Sequence, residues 1–491
     1  MPAYIRKIKR KSGATSVQIE YKHGRKRIGI THIGTAHNDS DIKLLSALAY
    51  EKIHENQLSF NLAEQSSIQK AKLRKSYSKV LWDALDNIYC RLGLEVTADS
   101  VFKQLVLSRI IEPTSKLDTI RVLKGLGLQS PSNTAIHHCL RRIIGDDYRG
   151  QISSECFKHS SPTALTLVLY DVTTLYFEVQ KEDEFRKSGL SKERRLEPQI
   201  TIGLLVDSDG FPLEVQSFEG NRAEVRTITH VLEGFKKRHG LENITVTADA
   251  AMLSSKNIEV LESLGYHYVI GSKLAKTPYE IEVCLTGNEI LADEQIFESQ
   301  KTVTVNGKQV KRREIFQYRQ KRASLDLLNI DKLLIKAQRI IEKKADIKRN
   351  RFLKITGAKM EINTPLVEEA RRRAGIKGYL TDLAIPAQQV VNAYHQLFRV
   401  EKAFRMSKSD LKARPIFHHK RDSIEAHLTI VFAALAIAHY VETKTRVSIK
   451  KFIRTLEPIR TGIILMGNKT FGLEPEIPTE AMVLLEKLSE V

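Results

Sequence analysis

Hydrophobic and polar positions follow different rhythms in successive parts of this chain. Residues 1–33 alternate basic with apolar or β-branched positions, as in Tyr4-Ile5-Arg6-Lys7-Ile8 and Ser16-Val17-Gln18-Ile19-Glu20-Tyr21. With Gly13 and Gly24 between them, this period of two predicts short β-hairpins. Residues 40–57 and 70–92 carry a helical period and are joined by a polar connection at 58–70. Thr97-Ala-Asp-Ser100 then opens a helix to Ile111, Pro113 breaks it, Ser115 to Lys124 makes a second, and Ser132 opens a third through Ile144. Their basic positions, Arg109, Lys116, Arg121, Lys124, Arg141 and Arg142, suit a helix-turn-helix or a plain helical subdomain touching phosphates.

After residue 160 continuous apolar runs of strand length take over. Ala164 to Tyr170 leads into Asp171, Gln199 to Val206 is a second run, and Pro212 to Ser217 a third after the turn Asp207-Ser-Asp-Gly210. A helical stretch at 223–239, a strand Ile244 to Ala248 ending in Asp249, a helix capped by Ser254 and a strand Tyr266 to Ile270 complete the order βββαβαβ. An antiparallel meander followed by β–α units is the order of a ribonuclease H-like core. Residues 276–376 interrupt it with polar alternating strands, a basic stretch (Lys308, Lys311, Arg312, Arg313, Arg319, Lys321, Arg322) and an amphipathic helix near 330–345. Strand character resumes at Gly378 to Asp382, and a helix from Ala387 to Met406 follows Pro386.

The expected organisation is therefore α/β. A basic β-rich segment with a helix (1–58) and a helical, DNA-binding region (59–160) precede a ribonuclease H-like catalytic core in two parts, 161–275 and 378–445. A largely β insertion (276–377) separates those parts, and a helical tail (446–491) closes the chain.

Composition sharpens this picture. Hydrophobic residues at 42% in 491 positions describe a globular chain with room for a large core and exclude a disordered one. Lysine and arginine number 78 against 58 acidic residues, so 78 − 58 gives +20, a balance that favours a polyanionic partner, of which nucleic acid is the commonest. Ribosome-associated and anionic-lipid-associated proteins share it. The four cysteines, Cys90, Cys139, Cys156 and Cys284, form no C-x-x-C pair, which argues against a disulfide framework or a cysteine zinc site and fits a reducing cytoplasm. The first residues show no secretion signal, and the apolar run Leu428 to Ile437 is too short to span a bilayer, so a buried helix is expected there.

Candidate chemistry rests on carboxylates. Asp171 and Asp249 each stand at the end of a predicted buried strand, where a side chain is held by a rigid frame yet reaches solvent. On the later helix, Tyr394, Leu397, Glu401, Arg405 and Lys408 fall within an arc of roughly 80° at about 100° per residue. Three hard oxygen ligands suit Mg²⁺ or Mn²⁺ rather than zinc, and two such ions support in-line displacement at a phosphodiester. Taken singly, each aspartate reads equally as a turn or cap, and the helix as a surface helix with a Glu–Arg pair. His418, His419 and His427 do not share one helical face and read as core or DNA-facing residues. Lys187, Lys192, Arg194 and Arg195 follow the first of these strands as a basic loop.

Three stretches resemble the acidic motifs of DDE transposases of the IS4 superfamily, and most of all its IS1634 group: Leu169-Tyr-Asp171-Val-Thr-Thr-Leu-Tyr-Phe-Glu178, Thr247-Ala-Asp249-Ala-Ala-Met-Leu-Ser254, and Tyr394-x2-Leu397-x3-Glu401-x6-Lys408. Phe102 to Leu117, Asp209-Gly-Phe-Pro-Leu213, Phe218-Glu-Gly-Asn221, Arg414-Pro-Ile-Phe-His418 and Glu425-Ala-His427-Leu are similar to that group as well. The resemblance implies an enzyme that binds the terminal inverted repeats of an insertion sequence, cleaves double-stranded DNA and joins the ends to a target. It implies two metal ions held by Asp171, Asp249 and Glu401, and a homodimer in the DNA complex. In the superfamily's Y-R-E-K signature the tyrosine, arginine and lysine contact DNA; Tyr394 and Lys408 match, Leu397 replaces the arginine, and Arg405 is positioned to restore its charge. A transposase-derived DNA-binding protein without catalysis and a ribonuclease H-like nuclease or resolvase are the alternatives.

Overall fold

A computed structural model describes residues 3–10, 13–24, 26–53, 72–160, 167–178, 181–189, 197–222, 227–241, 243–250, 255–272 and 274–490, less positions 275, 288, 306–307, 343, 345, 347–348, 357–358 and 467–468. The chain divides into a small unit, mainly residues 1–72, and a large one holding most of 73–491. In the small unit the alternating residues form β1 (Ala3–Lys9), β2 (Thr15–His23) and β3 (Lys26–Ala36), an antiparallel sheet in that order. Val17 and Ile19 face α1 (Asp39–Ile53), where Ala49 and Leu45 pack against them.

The large unit begins with β4 (Lys72–Tyr77) and α2 (Lys79–Arg91), where a single helix over 70–92 was expected; Lys72-Leu-Arg-Lys-Ser-Tyr77 alternates along an exposed strand before Ser78 starts the helix. The predicted connection at 58–70 lies outside the described residues. Next come α3 (Ser100–Ile111), α4 (Thr119–Gly125), α5 (Asn133–Gly145) and α6 (Tyr148–Ser160). Asp99 caps α3 by accepting from the amides of Val101 and Phe102, and its other oxygen takes Arg142 and the Tyr148 hydroxyl. Partial burial alone would raise its carboxyl, but Arg142, the Phe102 amide and Tyr148 outweigh that and hold it below the ordinary aspartate range. Its stabilisation is therefore fully present above the unfolded pKa and lost as pH falls through the lowered folded value. Asp99→Ala should lower stability by about 1–2 kcal/mol at neutral pH, and the gap to the parent should close in acid, measured by thermal unfolding across pH.

Of the basic positions on these helices, Lys124 and Arg141 are exposed. Arg109 and Lys116 are buried, Arg121 pairs with Glu112 and Asp118, and Arg142 pairs with Asp99. The helices share one hydrophobic core with the sheet, built around α14 (Arg421–Thr445), whose apolar window is 89% buried. Its length and composition would also pass for a membrane span, but α3, α5 and the strand Pro212–Glu219 pack against it.

The remaining elements up to α14 are β5 (Leu167–Tyr176), β6 (Gln199–Asp207), β7 (Pro212–Glu219), α7 (Ile228–His239), β8 (Thr245–Ala248), α8 (Ser255–Ser263), β9 (His267–Ser272), α9 (Tyr279–Thr286), β10 (Ile296–Val305), β11 (Lys308–Tyr318), α10 (Gln320–Ile341), β12 (Leu353–Thr356), β13 (Lys359–Ile362), α11 (Thr364–Arg372), β14 (Ile376–Thr381), α12 (Ala387–His395) and α13 (Phe398–Arg405). Eight strands make one mixed sheet in the order β10-β11-β14-β9-β8-β5-β6-β7. β5, β6 and β7 are an antiparallel meander, and β8 and β9 add in parallel on the other side of β5. Ser254, the expected cap of α8, lies outside the described residues.

The insertion is not largely β. Three helices, α9, α10 and α11, hold more of its residues than its strands do, because Gln320–Ile341 is one amphipathic run of strong helix formers. Nor are β10 and β11 a separate sheet, since β11 pairs with β14 and extends the central one. Two residues of its basic run are internal: Arg312 is fastened to Glu262 at 2.8 Å, and Arg313 holds Glu298 and the carbonyls of Leu383 and Ile385, while Lys311, Arg319, Lys321 and Arg322 are exposed.

Candidate active site

Asp171 is in the middle of β5 and not at its end. The strand continues because Val172-Thr-Thr-Leu-Tyr176 keeps β-branched and aromatic residues, each paired with β6 from Asp171↔Leu204 to Tyr176↔Gln199. Its other neighbour, β8, stops at Ala248, with Leu169↔Thr247 the last described pair, so the sheet opens on that side at the level of Asp171. The parallel register has a constant offset, 245 − 167 = 78 and 249 − 171 = 78, which sets Asp249 beside Asp171. Both stand two residues beyond the paired Leu169 and Thr247, Asp171 within β5 and Asp249 just past the last residue of β8, on neighbouring strands about 4.8 Å apart.

Asp249 is exposed, and its Oδ1 accepts both the Ala250 amide, at 2.7 Å, and the Tyr394 hydroxyl, at 2.9 Å. Tyr394 is buried on α12 beneath Lys377, whose Nζ lies 4.1 Å from the ring centre, and packs edge-on against Tyr379. Burial, and then the charge of Asp249, pushes the phenol above its ordinary range, so it donates as a neutral hydroxyl. Gly271 makes this possible: a Cβ there would sit 2.7 Å from the Tyr394 hydroxyl oxygen. Tyr394→Phe should leave the fold intact and lower metal-dependent cleavage about five- to tenfold, with a higher metal requirement, in assays across Mn²⁺ concentration.

Glu401 is exposed in the first turn of α13. The single helix expected from Ala387 to Met406 is interrupted at Gln396 and Leu397, and after Arg405 the chain passes into a π-helical turn, Met406–Asp410. The break lets Val390, Val391, Tyr394, Leu397 and Val400 all enter the core, so the stripe is not one outward face. α13 is anchored from both sides, by Arg399 to Asp209 and the Ser208 carbonyl in the β6–β7 turn, and by Lys402 to Glu442 on α14 at 2.9 Å. Arg405 is exposed; Lys408 is half-buried in the π-helical turn and lines a small space over Thr173 and Leu175, which alternate with Asp171 on β5.

Lys377, on β14, ties these parts together. Burial, then Arg322, lowers its ammonium below the ordinary lysine range, while Asp249 and Glu401 pull it back up, so both carboxylates lie within its electrostatic reach. Lys377, Arg322 and Arg351 line a cavity of about 500 Å³ that also reaches Asp249 and Tyr394. Sequence reasoning passed over Lys377; the one signal was a lysine beside a glycine in an otherwise apolar strand, Ile376-Lys-Gly-Tyr-Leu. Of the basic loop after β5, Lys192, Arg194 and Arg195 lie outside the described residues, and Lys187 forms a bridge with Gln199.

Among the described residues no three His, Cys, Asp or Glu side chains stand together as a metal cage, so Asp171, Asp249 and Glu401 do not form a closed cluster. Their all-carboxylate chemistry fits a hard divalent cation, and the Ala250 amide and the Tyr394 hydroxyl both bond to Oδ1 of Asp249.

A mixed sheet flanked by helices, with Asp249 at the rim of a basic cavity, defines an α/β protein. Residues 162–437 match the family described as "Transposase DDE domain", and the chain belongs to that family. Its members use divalent metal ions, generally Mg²⁺, to cut and transfer DNA. No match was found among curated protein sequences. Among solved structures it is similar to "Cryo-EM structure of piggyBac transposase synaptic complex with hairpin DNA (SNHP)", with 11% identity over 77% of this chain and 70% of that one and a TM-score of 0.36, too loose a superposition to inform any residue.

Proposed function

We propose that the chain is the transposase of an insertion sequence of the IS4 superfamily, in its IS1634 group, with a ribonuclease H-like core that cuts inverted-repeat ends and joins them to target DNA. The observation that carries this reading is the β5–β8 register, which continued by two residues matches Asp171 with Asp249, together with Lys377, on which the charges of both Asp249 and Glu401 act. Asp171, Asp249 and Glu401 would hold Mg²⁺ or Mn²⁺. When bound, such ions lower the pKa of the attacking water or 3′-hydroxyl and offset charge on the leaving oxygen.

The chain's own residues orient and bind. Tyr394 fixes Asp249 through Oδ1; being buried, it acts as a positioning residue instead of the DNA contact its motif implies. Lys377 and Arg322 face the cavity beside Asp249 and meet backbone phosphates there, while Arg405 and Lys408 extend that basic track past Glu401. Leu397 is buried, so an arginine at that position would not reach DNA, and Arg405 on the exposed surface supplies the charge. Two ends cut in one event call for a homodimer in the DNA complex.

The test is incubation of the purified chain with DNA carrying the element's ends and flanks. Nicks that expose a 3′-hydroxyl, require Mg²⁺ or Mn²⁺ and stop with chelator are expected. Specific end binding with no cleavage in either metal would show a DNA-binding protein without catalysis; equal cleavage of branched DNA lacking the repeats would show a nuclease or resolvase.

A further inference from the structure

A second cavity, of about 630 Å³, lies between α3, α5 and the segment 412–418, and gathers sequence motifs that the carboxylate site does not use. Its walls are apolar, from Pro113, Ile136, Leu140 and Phe417, and apart from the hydroxyls of Thr114 and Ser115 its polar side chains are basic, Arg109, Lys116, His418 and His427 among them. Arg109 and Lys116 are only 7% and 8% exposed. His427 Nε2 meets the Ala413 carbonyl at 3.0 Å and so carries the proton, leaving Nδ1 to accept from the Lys116 ammonium. Among the described residues the Arg109 guanidinium has no hydrogen bond or ion pair.

No carboxylate acts on Arg109 or Lys116, and the largest charges acting on His418 and His427 are those of Lys116 and Arg109. Burial, followed by Lys116 and Arg109, holds His418 at about 4, so it is neutral near pH 7. Burial, and for Lys116 also the charge of Arg109, lowers both groups below their ordinary ranges, so an anion entering the cavity would offset the cost of charging them there. A guanidinium fork and an ammonium converging on one space match the several anionic oxygens of a phosphate. The cavity also adjoins the catalytic strand: Arg414 lies over the ring of Tyr176, at 5.3 Å, and Tyr176 is five residues beyond Asp171, about 17 Å along β5.

We propose that this cavity is a phosphate-binding site, with Arg109 and Lys116 as its principal donors. A DNA backbone phosphate and a free phosphorylated molecule present the same chemistry; the DNA occupant rests on the transposase reading, the phosphate site does not.

Thermal unfolding of the full chain in inorganic phosphate against chloride at equal ionic strength tests the site, and salt-dependent DNA binding tests the occupant. Phosphate should raise the wild-type Tm by several degrees, and Arg109→Met and Lys116→Met should lose that shift. Should neither methionine variant fold, Lys412→Asn on the exposed rim should weaken phosphate binding several-fold. Loss of the shift together with a salt slope shallower by about one in Lys116→Met assigns a DNA phosphate. Loss of the shift with an unchanged slope assigns a free phosphorylated molecule. A wild-type Tm indifferent to phosphate, or variants that respond as the wild type does, would overturn the site.

Discussion

Alanine at Asp171, Asp249 or Glu401 should each lower metal-dependent DNA cleavage at least about a thousandfold, roughly 4 kcal/mol in the barrier, while end binding stays within a few-fold. The separation of the two effects follows from where these residues are. Asp171 and Asp249 sit on neighbouring strands of a sheet whose core is complete without them, and Asp249 and Glu401 are exposed, so each loss removes charge and little packing. Removing a negative charge beside Lys377, Arg322 and Arg351 leaves a surface at least as attractive to phosphate as before. Asp249→Asn sharpens the test, because an amide oxygen can still accept the Tyr394 hydroxyl while the charge is gone. If that variant cleaves like the parent, the bond to Tyr394 matters and the charge does not, which would contradict a role for Asp249 in holding a cation. Single-turnover cleavage and filter binding on the same DNA separate the two quantities.

Arg238→Leu should cost about 3 kcal/mol of stability, visible as a fall of several degrees in Tm. Glu214, on β7, is 1% exposed, with Arg238 from α7 as its charged partner and the Ser153 hydroxyl of α6 as its other close bond, at 2.7 Å. Removing the guanidinium leaves a buried carboxylate with only the Ser153 hydroxyl and the more distant Gln216 amide, at 3.4 Å, and that unpaired charge is the source of the loss. A second change, Glu214→Gln, removes the charge and should restore most of the lost Tm. A double variant as unstable as the single one would show instead that the stem of Arg238, packed between α7 and β7, carries the effect.

The strand order was readable because its runs are continuously apolar: Leu167-Val-Leu-Tyr170 and Gln199-Ile-Thr-Ile-Gly-Leu-Leu-Val206 leave few alternatives to buried strands. Where β5 ends was not, since Thr173 and Thr174 look like a turn until their pairing with β6 is seen. The helix of Tyr394 and Glu401 was visible as a periodicity, but no proline or glycine marks its break at Gln396, so the inward turn of Tyr394 and Leu397 stayed hidden. Basic residues misled most. Arg312 and Arg313 look like a DNA track in one dimension and are ion-paired within the sheet, while Arg109 and Lys116 look like a helix surface and are buried. Composition says only that lysine and arginine prefer solvent; which of them have partners depends on contacts distant in sequence.

The central claim is that Asp171, Asp249 and Glu401 serve one metal centre. Titration of Mn²⁺ into the chain bound to an uncleaved DNA end, followed by electron paramagnetic resonance, tests it most directly. The wild type should bind Mn²⁺ saturably, and each alanine variant should lose that binding by tenfold or more. Equal Mn²⁺ binding by the wild type and all three variants would contradict it.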